Sequence, residues 1–360
     1  MLTNLVTLIA ISVSLINGMN VELSESAILG SEASYVNQSE EYKLTERKDE
    51  LMQVMWQKVN GILSQDESLS DEFWWQTAVD DADRMLERFL IGNSWNVDSA
   101  VTYFKSYLTW RREFKVRDLI YSGEHDEALV KRALFESGKG IFWGYDKEGF
   151  LVILLYPRHH NMWTHSIADT TRHIVYQTEL GRRLFKPGKD RVTVIIDLNG
   201  LSVNSMDVNC ALFVLNSLRH YYPECINRIC LINIPYIFGY LYAAVEPMIG
   251  FLMKKLVRFN DPKMLLTVID EDQLFREYGG LCEYKYNYVP PDVKLRYDKE
   301  GYERLLAEAK ILTRQFYESD DRELIPKIKD CYTQLDHMLY PGDHYSRLGV
   351  YETPRQAKFQ

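Results

Sequence analysis

The chain has 360 residues, of which 46% are hydrophobic, and its 42 basic and 51 acidic side chains give a net charge of −9. A chain of this length buries about 75% of its unfolded surface, which predicts a large core and excludes a disordered or collagen-like protein. The acidic balance argues against nucleic acid as the main partner, because phosphate binding needs a basic surface.

Residues 1–16 form an apolar run of about the length of a signal-peptide core. The run has no basic residue before it and no small-residue cleavage site after it, and five polar residues interrupt it. We therefore expect residues 1–40 to be a signal-like or disordered segment, with a functional signal peptide not favoured. The five cysteines form no C-x-x-C pair and indicate a reducing, cytoplasmic compartment.

From Leu44 the apolar residues recur at helical spacing, and Asn96 stands where an N-cap is expected. Helices are predicted from Leu44 to about residue 63 and over residues 71–79, 81–91, 97–115 and 125–137. Residues 41–137 are therefore predicted to form an all-helical lobe.

The pattern changes after residue 138, where short apolar runs alternate with helical segments. Strands are predicted over residues 141–145, 151–156, 192–198, 228–234 and 255–259. Helices are predicted over residues 166–185, 205–221, 236–245, 247–253 and 271–278. This alternation predicts an α/β sheet within residues 138–290. Residues 291–360 are predicted to be a helical extension, with helices at 301–318 and 322–339.

The segment 229–245 is uncharged and invites an alternative interpretation as a membrane-spanning helix. Asn233 and Pro235 interrupt the segment, and Glu246-Pro247 ends it. A strand followed by a separate amphipathic helix explains these breaks better.

Catalytic signatures are missing from the sequence, which contains no G-x-S-x-G elbow, no P-loop and no G-x-G-x-x-G. A hydrolase that used His159 or His160 with Asp197 is the remaining enzymatic hypothesis. Clustered histidines on a loop are more often solvated, and Asp197 at a strand end is more often a turn former. We therefore predict no enzymatic activity, no catalytic residue and no metal site.

Segment 236–259 joins an apolar stretch to a basic one, with Lys254, Lys255 and Arg258 against a single acid, Glu246. Its net charge is therefore positive in a chain that is acidic overall. On its periodicity the segment better fits an ordinary core helix, and the alternative is a helix that enters lipid beside cations that meet anionic headgroups.

Several motifs resemble the CRAL-TRIO family of lipid-binding proteins. Arg88-Phe89-Leu90 and WRREF (110–114) are similar to its helical N-terminal lobe, and GYDKEG (144–149), VIIDLNGLS (194–202) and HYYPECINRICLINIP (220–235) to its lipid lobe. The similarity covers roughly residues 45–290 in the right order. Within the family the chain most resembles the CRAL-TRIO portion of the motile sperm domain-containing proteins.

The resemblance implies an α/β fold in which a mostly parallel sheet floors a lipid pocket and a mobile gate helix closes it. It implies a bound lipid rather than a cofactor, transient contact with membranes, and a cytoplasmic, peripheral membrane location. Pocket walls are expected at Val192, Val194 and Phe213. The gate is expected at Met248, Phe251 and Leu252, and a polar headgroup at Glu224 and Lys255.

Two departures from the family pattern restrict the range of ligands to be expected. Ile91-Gly92-Asn93 replaces the family's R-A-R, so an arginine contact to an inositol phosphate is lost. Val192 and Val194 replace the Ser and Thr that hold a choline headgroup. We therefore expect a less polar ligand that the protein transfers or presents at membranes. The alternative is a membrane-associated adaptor or lipid sensor without transfer activity, with a protein partner bound through the C-terminal helices.

Overall fold

The computed structural model describes residues 38–122, 126–283, 286–288 and 298–339, with side chains from residue 47 onward. The apolar run at residues 1–16 lies outside the described residues, so the expectations for it stay predictions.

The predicted helical lobe is present. Its helices are α1 (Gln38–Leu63), α2 (Glu67–Gln76), α3 (Ala82–Gly92), α4 (Val97–Glu113), α5 (Val116–Ser122) and α6 (Arg132–Glu136). The predicted cap is confirmed, because the Asn96 side chain accepts a hydrogen bond from the backbone N–H of Ser99 at 2.9 Å. The helix predicted over 125–137 is reduced to the single short helix α6 and turns.

Two helices that come much later in the chain, α10 (Lys299–Ser319) and α11 (Leu324–Leu339), complete the core of this lobe. Phe316 of α10 packs edge-on against Trp56 and Trp74, with ring centroids 6.1 and 5.6 Å away. Tyr332 of α11 packs in the same way on Trp75 at 5.3 Å. The described part of the predicted C-terminal extension therefore buries its apolar faces within the helical lobe.

The second half of the chain forms a five-stranded sheet whose spatial order, β1-β2-β3-β4-β5, follows the chain order. The strands are β1 (Gly140–Tyr145), β2 (Leu151–Leu155), β3 (Val192–Asp197), β4 (Ile226–Ile232) and β5 (Leu256–Arg258). β1 is antiparallel to β2, and the other pairs are parallel. The predicted α/β class and the mostly parallel sheet are confirmed.

The crossover helices α7 (Ile167–Arg183), α8 (Val208–His220) and α9 (Phe238–Ile249) share one face of the sheet. Right-handed crossovers between strands added in one direction place all helices on that face. Alternate strand residues such as Ile195 and Cys230 point to the opposite face, where segment 259–282 covers them. Both faces are thus covered, which explains why these strands are almost entirely apolar.

The segment after β4 differs from its prediction. One helix, α9, continues through Pro247, and a 3₁₀ helix follows at Gly250–Lys255, where two helices had been predicted on either side of Pro247. Residues 271–278 form only a short 3₁₀ turn at Arg276–Tyr278. The uncharged run 229–245 is divided between β4 and α9, and across the described residues no helix is both long and apolar enough to cross a bilayer.

Candidate functional site

A cavity of about 470 Å³ lies between the sheet and the three crossover helices. This volume is within the range of about 300–1,000 Å³ that is typical of small-molecule sites. Ile153, Val194 and Leu231 are among the residues of its floor, and α9 covers it with Leu241 and Val245. We call this space the apolar cavity, because aliphatic and aromatic side chains make up most of its wall.

The structure places three of the six predicted pocket and gate residues on the cavity wall, namely Val192, Val194 and Leu252. Phe213 is not among the lining residues, because its position on α8 turns the ring toward Phe114, on which it stacks at 6.4 Å. Met248 is half-buried and packs on the hydrophobic cluster that includes Val245 and Leu252, whereas Phe251 is 41% exposed. Neither of these two gate residues touches the cavity.

The sequence analysis missed the contribution of α7. Ile174, Thr178 and Gly181 of α7, with Phe185 just after it, line the cavity at helical spacing, and the same spacing in the sequence could have identified them. Gly181 is required there, because a Cβ at this position would lie 2.8 Å from the Phe142 ring.

Glu224 and Lys255, which are far apart in the sequence, form an ion pair with Nζ and Oε2 2.9 Å apart. Their side chains are 27% and 21% exposed. They lie before β4 and β5, and their neighbours Pro223, Cys225 and Leu256 line the apolar cavity. The two residues predicted to meet a headgroup therefore lie together at the amino-terminal edge of the sheet, beside the cavity.

Further charges line the same end of the cavity. Arg88 donates to Asp190 at 2.8 Å and also pairs with Asp80, and Arg182 donates to Asp80 at 2.7 Å. All four residues belong to the cavity wall. Burial opposes ionisation of Asp80, but Arg88 and Arg182 outweigh it and lower the pKa of its carboxyl group.

This charged group continues into the interface between the helical lobe and the sheet. Glu179 of α7 accepts hydrogen bonds from Arg111 at 2.5 Å and from the Tyr222 hydroxyl at 2.8 Å. Burial opposes its charge, yet Arg111 and Arg182 lower the pKa of Glu179 to about 2. Glu179 is therefore a fully ionised buried anchor between the two lobes.

The segment in place of the family's R-A-R packs tightly at the edge of the site. A Cβ at Gly92 would lie only 3.0 Å from Pro223, so this position must stay small. Asn93 donates to the Phe89 carbonyl and accepts from the Ser99 hydroxyl, both at 2.9 Å. The hydrogen bonds of the Asn93 side chain are thus used at the junction between the end of α3 and the start of α4.

Asp197 has a structural role. Its carboxylate accepts hydrogen bonds from Asn233 at 2.8 Å, from Arg158 at 2.7 Å and from the Tyr278 hydroxyl at 2.9 Å. His159 and His160 contact the Gly138 carbonyl and Asp207 instead. The histidine–aspartate arrangement of the hydrolase hypothesis is therefore not assembled within the described residues.

Residues 135–280 match the family model of the CRAL/TRIO domain. The crystal structure of Sfh5 superposes with a TM-score of 0.55 at 20% identity and covers 73% of this chain and 97% of that one. The chain therefore has the CRAL-TRIO fold.

Curated relatives of similar sequence include fungal proteins. A CRAL-TRIO domain-containing protein of Schizosaccharomyces pombe is 25% identical over 328 residues, which cover 84% of this chain and 73% of the relative. The phosphatidylinositol transfer protein CSR1 of Eremothecium gossypii is 26% identical over 294 residues, or 78% of this chain and 66% of that protein. The phosphatidylinositol transfer protein PDR17 of Saccharomyces cerevisiae is 26% identical over 65% of this chain and 67% of its own length. These relatives do not support the finer resemblance to motile sperm domain-containing proteins, which stays a prediction.

Proposed function

We propose that this protein binds a hydrophobic lipid in the apolar cavity and transfers or presents it at membranes. The observation that carries the proposal is the apolar cavity between the sheet and α9, with the Glu224–Lys255 pair at its rim. The names of the transfer proteins CSR1 and PDR17 support the same conclusion. The specific lipid stays open, because Val192 and Val194 offer no polar group to a headgroup.

The energetics of extraction explain why such a cavity must be closed. Moving a lipid chain from a bilayer into water costs about 0.8 kcal/mol per methylene. A two-chain lipid with about 30 methylenes would therefore cost roughly 25 kcal/mol if its chains met water. A carrier offsets this cost only by enclosing the chains, and an open cavity would expose a large apolar patch between encounters.

Helix α9 has the properties of a closing element. Leu241, Val245 and Ile249 face the cavity, while Tyr240 on the outer side is 45% exposed. Pro247 removes one backbone hydrogen bond within the helix, which weakens the ladder at that point. We expect the helix to move as a gate about this region when it meets a membrane.

The outer surface near the gate suits contact with an anionic bilayer. Phe251 and Met253 are 41% and 36% exposed, and Lys254 and Arg258 are exposed beside them. Exposed apolar side chains next to cations are typical of interfacial membrane contact. Attraction between this surface and an anionic membrane would bring the gate into contact with the lipid.

The test is a pair of measurements on the purified chain. Native mass spectrometry should detect a co-purified lipid, and a fluorescent lipid should move from donor to acceptor liposomes in proportion to protein. An apo protein that takes up no lipid from liposomes would contradict the proposal. Lipid uptake and liposome flotation without transfer would favour the alternative, a lipid sensor or adaptor.

A further inference from the structure

The apolar cavity has a second polar end, opposite the Glu224–Lys255 pair. Lys139 lies beside the last residues of β2, where its carbonyl accepts from the Tyr156 N–H at 2.8 Å. His160 follows β2, and Asp207 begins α8 after β3. Since β2 and β3 are parallel, these residues meet at the carboxyl edge of the sheet.

Two residues of α7 complete this group, which we call the carboxyl-edge cluster: Lys139, His160, Thr170, His173 and Asp207, all of which line the cavity. Thr170 and His173 are only 2% and 3% exposed and, three positions apart on a helix, lie on the same face. Thr170 Oγ1 and His173 Nδ1 have no hydrogen-bond partner among the described residues. Buried polar atoms are rarely left in this condition, so each such atom needs an explanation.

Both unsatisfied atoms can donate a hydrogen bond. The Gln177 amide nitrogen lies 3.5 Å from His173 Nε2, and since the NH₂ group can only donate, Nε2 is the acceptor. Burial, Lys139 and His165 lower the pKa of His173 well below its usual value, so the ring is neutral and its proton is on Nδ1. The Lys139 ammonium likewise has no hydrogen bond or ion pair among the residues described.

We propose that the carboxyl-edge cluster binds the anionic oxygen group, a carboxylate or a phosphate monoester, of an amphiphile whose chain lies in the apolar cavity. The inference rests on the lipid-binding function proposed above. Lys139 supplies the positive charge, and the Thr170 hydroxyl and the His173 Nδ1–H group supply two hydrogen bonds. Charge-assisted hydrogen bonds of this kind are the stronger ones and are stronger still where water is excluded.

A metal ion is the competing occupant, because the donor atoms of His160, Asp207 and Cys210 lie within 4.8 Å of one another. The Asp207 oxygens are already engaged, one by the Cys210 backbone N–H at 3.0 Å and the other by His160 at 3.2 Å. Burial raises the pKa of the Cys210 thiol to about 11, so it is protonated at neutral pH. With the Lys139 ammonium also close by, the cluster favours an anion over a cation.

The test compares oleate, oleoyl lysophosphatidate and methyl oleate as ligands of the delipidated full-length chain, by isothermal titration calorimetry. We expect the acid or the phosphate to bind at least about tenfold more tightly than the ester, since only they accept from Lys139 as anions. Lys139→Met should remove this preference, so that the acid, the phosphate and the ester bind with affinities within about twofold of one another. Thr170→Val, which keeps the shape of the side chain, should reduce the preference severalfold.

Lys105→Met, an exposed lysine of α4, is the matched control and should change none of the three affinities. Equal affinity of the wild-type chain for acid, phosphate and ester would overturn the anion site while leaving lipid binding intact. A wild-type chain that binds none of the three would contradict the proposed function itself. Tight binding of Zn²⁺ alone that is lost in Cys210→Ser would also overturn the anion site, in favour of the metal.

Discussion

Lys255 Nζ lies 2.9 Å from Glu224 Oε2, so the two residues expected to meet a lipid headgroup are bound to each other beside the cavity. Glu224 reaches this position with a left-handed backbone angle, φ +56°, which a non-glycine residue rarely adopts. The pair is partly buried, and a polar headgroup that arrived at the rim would have to share or replace this contact.

Charge reversal of Lys255 tests its role at the rim. Lys255→Glu places two carboxylates together and should lower the transfer of phosphatidylinositol at least about tenfold, because a hydrogen bond to a charged group contributes about 1.5–3 kcal/mol. Transfer of a neutral lipid such as diacylglycerol should change by less than twofold. Lys105→Glu makes the same change of charge on an exposed lysine of α4, away from the gate, and an equal loss in that variant would remove Lys255 from headgroup binding.

Filling the cavity should displace the lipid. Val194 lies on the cavity floor at the centre of the sheet, and Val194→Trp should reduce the fraction of protein that carries lipid in native mass spectrometry by more than half. Ile195→Phe is its control, because Ile195 points to the opposite face under segment 259–282. That variant should lower the free energy of unfolding by about 1–3 kcal/mol through overpacking and keep its lipid. Full occupancy in Val194→Trp would show that lipid binds elsewhere.

Acid should destabilise the junction of the two lobes through Glu179. Because its pKa in the folded protein is lowered to about 2, the ionised form stabilises the fold above the ordinary pKa of a glutamate, about 4.3. This stabilisation is lost as the pH falls from about 4.3 toward 2. Glu179→Gln should lower the free energy of unfolding in urea by about 3–5 kcal/mol at pH 7, since it removes one of the two carboxylates that pair with each of the buried Arg111 and Arg182, and should flatten the acid dependence. Glu303→Gln, an exposed carboxylate, should change little, and equal stability of the two variants would contradict the role of Glu179.

The loops at the carboxyl edge should also touch the membrane. Trp163 is 76% exposed after β2, and Val203 is 61% exposed after β3, where a Met162–Asn204 hydrogen bond of 3.0 Å joins the two loops. Tryptophan prefers the membrane–water interface, so Trp163→Ala should lower flotation with anionic liposomes severalfold. Ile311→Ala removes an apolar side chain that is 57% exposed on α10, and flotation of that control should match the wild type. Equal flotation of all three proteins would exclude Trp163 from the contact.

Helices and strands could be predicted from the sequence, whereas contacts between residues far apart in the chain could not. The helical period of α7 and the apolar runs of the strands depend on neighbouring residues, so the sheet and its helices were predicted within a few positions. The orientation of Phe213 depends on Phe114, which belongs to another lobe, and no local pattern encodes that contact. Helix α9 continues through Pro247 because its apolar face is held over the cavity, so tertiary packing outweighs the proline.

The polar residues at the two ends of the cavity were predicted only in part, because they too come from separate segments of the chain. Glu224 and Lys255 were identified through family motifs, whereas Thr170 and His173 carry no motif and are notable because the buried atoms Thr170 Oγ1 and His173 Nδ1 have no hydrogen-bond partner among the described residues. The positive charge that follows the gate, at Lys254, Lys255 and Arg258, could be identified directly in the sequence. The network of Arg88, Asp80 and Arg182 joins three separate segments, so only the folded chain brings it together.

The position of α10 and α11 has a consequence for the order in which the molecule is made. Phe316 and Tyr332 complete an aromatic core whose other members, Trp56, Trp74 and Trp75, leave the ribosome more than two hundred residues earlier. The first lobe to emerge during synthesis is therefore among the last to be finished, and its tryptophans lack their Phe316 and Tyr332 contacts until α10 and α11 have been added. A ribosome that stops before α10 would release a chain with a preformed sheet and an open aromatic core, which is a natural substrate for chaperones.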